Sequence, residues 1–414
     1  MPVVNVFFGS YCGAEEVVRS VVEKTGYAYL DDGALVAETS KRFHLEESKI
    51  RKAMGGKASI FNKFTHEKER NLAYLIQAVA DFFKTNNDFL LFGLCSLMVP
   101  RRITHALNVC IIADTEYRTN LACRLEKISV RDALKKIHKD DEALVMWVEH
   151  LLRQKDPWDA GLYDIVIPMN KVAHDDAVRL ICDSLRSSVL TVSEDSVKAV
   201  ADFTLASEVN LKLAMEGHDV LVSAQDGTVV MEINKHVMML SSLEEELKKV
   251  ALTVPGVKGA ETKVGPGFYQ TDVYRKFDFD VPLPSKVLLV DDERDFVEAL
   301  SERLQMRDYS SAVVYGGEEA LSIVEEDEPE VMVLDLKMPG IDGLEVLRRV
   351  KEKHPKVEVI VLTGHGSEDA ARLCEELGAF AYLEKPVDIE KLTQTMQDAY
   401  KRVRESKGKG QGQG

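Results

Sequence analysis

The 414-residue chain carries 53 Lys and Arg against 69 Asp and Glu, a formal net charge of −16, with 45% hydrophobic and 29% charged residues. Such a composition is that of a soluble globular protein long enough for two or three domains. So negative a surface repels a phosphate polymer, which excludes a general nucleic-acid surface and leaves no nucleic acid among the expected partners. The six cysteines stand mostly inside apolar runs, without a CxxC or Cys/His spacing, as buried reduced thiols do and zinc ligands do not. No basic segment followed by an apolar core opens the chain, and no run approaches membrane-spanning length. A cytoplasmic protein without membrane insertion is expected.

Pro2 to Phe8 reads as a buried strand, and Gly9 to Gly13 as a glycine-containing turn into a helix over 14–25. Strand, glycine turn and helix in that order is where backbone N–H groups at a helix N-terminus hold phosphate. Gly9, Ser10 and Gly13 are therefore candidate phosphate-binding residues. Strands follow at 89–92 and 107–112, then the segment 121–127, a polar helical stretch over 130–154, and a run over 162–167.

Several of these words together resemble the cytidylate-kinase-like family of P-loop nucleoside monophosphate kinases across residues 1–187. They are Tyr27 to Asp31, Gly93 after its strand, Arg118 after the Ile112 to Tyr117 segment, and above all Asp156 to Ile167. The resemblance implies a nucleotide ligand, with Arg118 assisting its phosphates. The catalytic parts depart from the pattern. Where a Walker sequence wants Gly, Lys and Ser or Thr, this chain has Ala14, Glu15 and Glu16. That substitution sets two negative charges beside an anionic ligand and removes a Mg²⁺-binding hydroxyl. The arginine expected after Gly93 is Leu94, and the lid stretch 137–147 is apolar and acidic. Arg118, Arg124, Lys135, Lys136 and Arg153 read as a solvated charged face. Three readings stay open: a degenerate kinase fold used as a binding or sensing module, a nucleotide bound without turnover, or a working kinase.

The middle region, 188–275, reads as a helix over 197–215, strands at 218–223, 227–233 and 258–264, and a helix over 242–253 before the last strand. Helix, two strands, helix, strand makes a small α+β layer near the lower limit for a self-sufficient core. Gly227 to Val230 and Val254 to Val257 resemble the BON domain, which implies an interaction or dimerisation module and a homodimer as one arrangement of the chain. Two prolines in the segment 276–285 suggest a short semi-rigid linker, and the Gly, Lys and Gln tail 405–414 a disordered end.

Between these, residues 286–404 hold apolar runs of four or five residues that stop abruptly at charged groups: Val287 to Val290 before Asp291 and Asp292, Val331 to Leu334 before Asp335, Val359 to Leu362 before Thr363, and Phe380 to Leu383 before Lys385. Segments of helical period separate them. Alternating strand and helix gives an α/β doubly wound parallel sheet whose ligands gather at the carboxyl ends of the strands. Three carboxylates at one such edge repel each other unless a cation sits among them, and hard oxygen ligands with room for water and phosphate suit Mg²⁺. A carboxylate beside that metal can act as nucleophile toward a phosphoryl group.

The paired acids, Asp335 to Pro339, Asp342-Gly343, Thr363-Gly364 and Lys385-Pro386 resemble the receiver domain of two-component response regulators, a flavodoxin-like fold. The resemblance implies that Asp335 accepts the phosphoryl group, with Thr363 and Lys385 assisting, and that Asp291, Asp292, Asp335 and the Lys337 backbone carbonyl hold Mg²⁺. It implies Thr363 and Tyr382 as the switch pair and a sensor histidine kinase as the phosphodonor partner. The chain as a whole then reads as a response regulator whose phosphorylation changes the contacts of the N-terminal modules. The alternative is a receiver-gated cytidylate-type kinase.

Overall fold

Two five-stranded parallel sheets and one three-stranded mixed sheet organise the computed structural model, which describes residues 2–55, 58–85, 88–237, 239–268, 283–364 and 368–410. These residues fall into two compact units: Met1–Ala58 with Glu67–Lys276, and Ser59–His66 with Phe277–Gly414.

The first unit opens with β1 (Val3–Phe8), α1 (Ala14–Thr25), β2 (Ala28–Asp31), α2 (Asp32–Phe43) and α3 (Glu47–Met54). The one-turn α4 (Asn62–Thr65) belongs to the second unit, and the first resumes with α5 (Glu67–Thr85), β3 (Phe89–Phe92), β4 (Ala106–Ile112), α6 (Thr115–Glu126), α7 (Val130–Leu152), β5 (Ile165–Pro168) and α8 (His174–Ser184). Strand order is β2-β3-β1-β4-β5, with every pairing parallel. Alternation along β1 sends Val3 and Phe7 into one core and Val4 and Val6 into the other, so both faces are covered, as a parallel sheet requires. The sequence assigns no element between Asp32 and Thr85, where α2, α3 and α5 lie, and the segment 121–127 proves to be the end of α6.

The middle elements are α9 (Glu194–Met215), β6 (Leu221–Gln225), β7 (Thr228–Ile233), α10 (Leu240–Ala251) and β8 (Gly259–Val264), in the expected order of types. β6 pairs antiparallel and β8 parallel with β7. The strand expected over 218–223 starts later, after the buried His218 and Val220. Ala199 and Phe203 of α9 enter the core shared with α5, whereas Val209 and Leu213 pack over the small sheet. One helix serves both cores, and the elements expected as a separate domain fall in the same unit as the first sheet.

In the second unit, β9 (Val287–Val290), α11 (Arg294–Gln305), β10 (Ser311–Val314), α12 (Gly317–Glu326), β11 (Val331–Leu334), α13 (Gly343–Lys353), β12 (Glu358–Thr363), α14 (Glu368–Glu376), β13 (Ala381–Glu384) and α15 (Ile389–Gly410) alternate strictly. Strand order is β10-β9-β11-β12-β13, all parallel, the flavodoxin-like winding. Leu288, Val290, Met332 and Leu334 face α12 and α13, and Val287, Leu289, Val331 and Val333 face α11 and α15. Phe61, fully buried, joins the α12–α13 core from the short upstream segment, and Ser59 Oγ donates to Asp327 Oδ2 at 2.6 Å. The expected tail is helical through Gly410, because α15 continues past residue 405; the rest of the tail and most of the expected linker lie outside the described residues. Among the described residues no helix is long and apolar enough to cross a membrane.

Candidate functional site

Four of the five strands of the second sheet, β9, β11, β12 and β13, end in or directly before a candidate polar residue, and the winding brings those ends to one edge. Asp291 and Asp335 follow β9 and β11 directly, tied by the Asp335 N–H donating to the Val290 carbonyl at 2.9 Å. Oxygens of Asp291, Asp292 and Asp335 lie within 4.8 Å of one another. Asp291 and Asp335 are buried, 4% and 5% exposed. The Lys385 ammonium sits 2.6 Å from Asp291, 3.1 Å from Glu293 and 3.8 Å from Asp335, above the Phe296 ring. Burial opposes its charge, but the contacts to Asp291, Asp335 and Glu293 outweigh that and hold its pKa above the usual lysine value.

Asp335 carries the perturbed carboxyl. Burial pushes its pKa up, Lys385 pulls it down, Asp291 pushes it up again, and the Leu336 and Lys337 backbone N–H groups pull it down; the net direction is upward. Among the described residues its buried Oδ1 has no hydrogen-bond partner, and the Lys385 ammonium stands 3.8 Å from it. The loop after it is held close to α13: the Gly343 N–H donates to the Leu336 carbonyl at 2.9 Å, and a Cβ on Gly343 would stand 2.1 Å from the Asp335 carbonyl oxygen. Only glycine permits that approach.

Thr363 ends β12 fully buried, and its carbonyl accepts from the Lys385 N–H at 2.9 Å. Tyr382 pairs with Val361 across β12 and β13, half-buried against the α12–α13 core. Of the candidates from the sequence, Asp291, Asp292, Asp335, Thr363 and Lys385 gather at this edge, and Tyr382 stands within β13, two residues before its end. Glu293, which shares Lys385 with Asp291, was not among them, although it directly follows the two acids.

The donor set fits a hard divalent cation: three clustered carboxylates and a buried carboxylate oxygen without a hydrogen-bond partner. Asp291, Asp292, Asp335 and the Lys337 carbonyl would hold Mg²⁺, which supplies charge neutralisation for a phosphoryl group at Asp335.

The Gly9 to Gly13 turn has a different character. Gly13 caps α1 in the left-handed region, φ 72°, and Glu15 and Glu16 occupy the first turn, where they complement the helix dipole. Arg118 is 7% exposed, which corrects the solvated face expected for it. Its Nε donates to the Ser10 carbonyl at 2.7 Å, and its other nitrogens donate to Ser10 Oγ at 2.8 Å and to both oxygens of Asp141 at 2.6 and 2.9 Å. Asp141 comes from α7, where the kinase resemblance would place arginines. After β3, Gly93 adopts φ 121°, and the Leu94 and Cys95 N–H groups donate to Asp32 at 2.8 and 2.9 Å. A Cβ on Gly93 would lie 2.3 Å from Asp32 Oδ2. Backbone donors that suit an anionic ligand are thus occupied by a carboxylate of the chain itself.

Residues 287–397 match the response regulator receiver domain family and residues 3–171 the cytidylate kinase-like family. Sporulation initiation phosphotransferase F of Bacillus subtilis (strain 168) is 36% identical over 107 residues, covering 26% of this chain and 86% of that protein. The DNA-binding transcriptional regulator NtrC of Salmonella typhimurium is 34% identical over 119 residues, 29% of this chain and 25% of that protein. A crystallised response regulator receiver domain protein from Clostridium thermocellum shares 34% identity over 29% of this chain and 96% of its own, with a TM-score of 0.28. The chain spans most of the first relative and a quarter of the second. Through its C-terminal residues it belongs to the response regulator receiver family.

Proposed function

We propose that the chain works in two-component signalling, with Asp335 taking a phosphoryl group from a phosphohistidine of a partner kinase. A carboxylate oxygen of Asp335 attacks phosphorus, the P–N bond breaks, and the imidazole leaves with its electron pair. The observation that carries this reading is the buried Asp335 Oδ1, without a hydrogen-bond partner among clustered acids. Lys385 would exchange part of its contact with Asp291 and Glu293 for the acyl phosphate, the Thr363 hydroxyl would donate to a phosphoryl oxygen, and Tyr382 would repack behind it. An added charge of about −1.5 to −2 is ample to move such groups.

Phe61 supports a route for output. Residues 59–66 pack with the receiver and continue in the chain into α3 on one side and α5 on the other. A change in the α12–α13 core on phosphorylation would thereby reach the helices of the kinase-like unit. The receiver-gated kinase is less well supported, since Arg118 is already bound by Asp141 and Ser10. Acetyl phosphate with Mg²⁺ should add the mass of one phosphoryl group to the intact chain and nothing to Asp335→Asn. Equal labelling of both proteins would remove Asp335 from its role.

A further inference from the structure

A cavity of about 710 Å³ opens in the first unit along α9, between the end of α5 and the turns that precede β7 and β8. Small-molecule sites typically measure about 300–1,000 Å³. The apolar part of its wall is Phe83, Val200 and Leu205, with the exposed Val197 and Pro255 at the mouth. The Phe83 ring is fixed edge-on against Phe89 and Phe203, 4.9 and 6.5 Å between centroids. The wall is therefore a preformed surface.

One polar group in that wall lacks a counterpart. Asp202 lines the cavity at 8% exposure, and among the described residues neither a hydrogen bond nor an ion pair reaches its carboxylate. Its oxygens are not among the sealed-off unpaired atoms of the described residues, so they open onto the cavity, where the donor group of a ligand would take the place of water. The lysines around the cavity do not supply the partner. Lys198, one helical turn before Asp202, lies 3.9 Å from Asp195, and Lys258 donates to the Asp226 carbonyl at 3.2 Å. Lys84 is exposed, as are the other two, so these cations stand in bulk water, whereas Asp202 is only 8% exposed. His105, the remaining basic group, is bonded to Ser196 at 2.6 Å.

We propose that this cavity binds a small organic cation: an apolar body that fills the Phe83 and Leu205 wall, carrying an amine, amidine or guanidine group that donates to Asp202. A carboxylate accepts two parallel N–H groups from an amidine or guanidine, which gives the site geometric selectivity as well as charge. The acids Glu208 and Asp226 at the same cavity offset the exposed lysines, so Asp202, the least exposed of the three acids, decides the sign of the preferred ligand.

Benzamidine and benzoate, of matched ring and opposite charge, separate this reading from a merely greasy cleft. In calorimetric titration of the full-length chain, benzamidine should saturate near the millimolar range expected of so small a ligand, and benzoate should not. Asp202→Asn keeps the shape and should weaken benzamidine by about tenfold or more. Val197→Lys, at the exposed mouth, should weaken it as well without disturbing the core. Equal binding of the two probes, unchanged binding in Asp202→Asn, or no saturable benzamidine binding would each overturn the proposal.

Discussion

Arg118 and Asp141 form a bidentate pair, with guanidinium nitrogens 2.6 and 2.9 Å from the two carboxylate oxygens. The cation that the kinase resemblance assigns to a nucleotide is thereby held by an acid from the lid helix. Wild-type protein should show no micromolar binding of CMP or ATP by calorimetry in Mg²⁺. Asp141→Asn should improve affinity for inorganic pyrophosphate by a few-fold, because it removes a negative charge beside the turn while Arg118 remains. Arg118→Ala should destabilise the fold by about 3 kcal/mol, since it leaves Asp141 and Ser10 without their partner. Micromolar CMP binding by the wild type would instead restore the regulated kinase.

At the receiver edge, Lys385 and a divalent cation compete for the same carboxylates. Lys385→Met removes a positive charge 2.6 Å from Asp291 and 3.8 Å from Asp335. Mg²⁺ should then bind at least a few-fold more tightly by calorimetry, because an ion-pair competitor is gone and the acids repel each other more. Asp291→Asn should weaken Mg²⁺ by about tenfold or more. If Lys385→Met bound Mg²⁺ more weakly than the wild type, the three acids would not be the metal ligands.

Much of this edge was legible before any coordinates. Buried parallel strands read as unbroken Val and Leu runs, and a run that stops at an acid or lysine marks a strand end. That rule located Asp291, Asp335, Thr363 and Lys385 together. The α5 helix escaped it because Lys68, Asn71 and Gln77 are buried among its apolar residues and blur the amphipathic period. Phe61 is a contact between segments far apart in the chain, and no local pattern encodes that. Arg118 misled for a related reason: a charged residue reads as surface until the fold supplies Asp141.

Phe61 should matter to the receiver although it lies more than two hundred residues upstream of β9. Its ring is fully buried in the core of Leu288, Ala312 and Val346. Phe61→Ala should cost about 3–5 kcal/mol, whereas Phe61→Leu, which keeps most of the volume, should cost less than half of that. Hydrogen exchange on the full-length chain is the informative measurement. In Phe61→Ala the amides of β9 and β10 should lose protection by about a hundredfold or more. Unchanged protection there, with loss confined to the first unit, would mean that the ring stabilises something other than the receiver.

His150, near the end of α7, gives the first unit an acid sensitivity of its own. Burial, then Lys68 and Arg153, with Asp219 opposing, lower its pKa to about 4. An unfolded histidine titrates near 6.5. Above that value neither state binds the proton, and the histidine has no effect on stability. As pH falls below it the unfolded chain takes up a proton that the folded chain refuses, so stability declines until the folded pKa near 4 is passed. The full effect is about 3 kcal/mol by linkage. His150→Gln keeps a polar side chain of similar reach and cannot titrate. Its urea unfolding free energy should therefore fall less steeply than the wild type's between pH 6.5 and 4. Parallel pH curves for the two proteins would show that His150 is protonated in the fold as readily as in the unfolded chain.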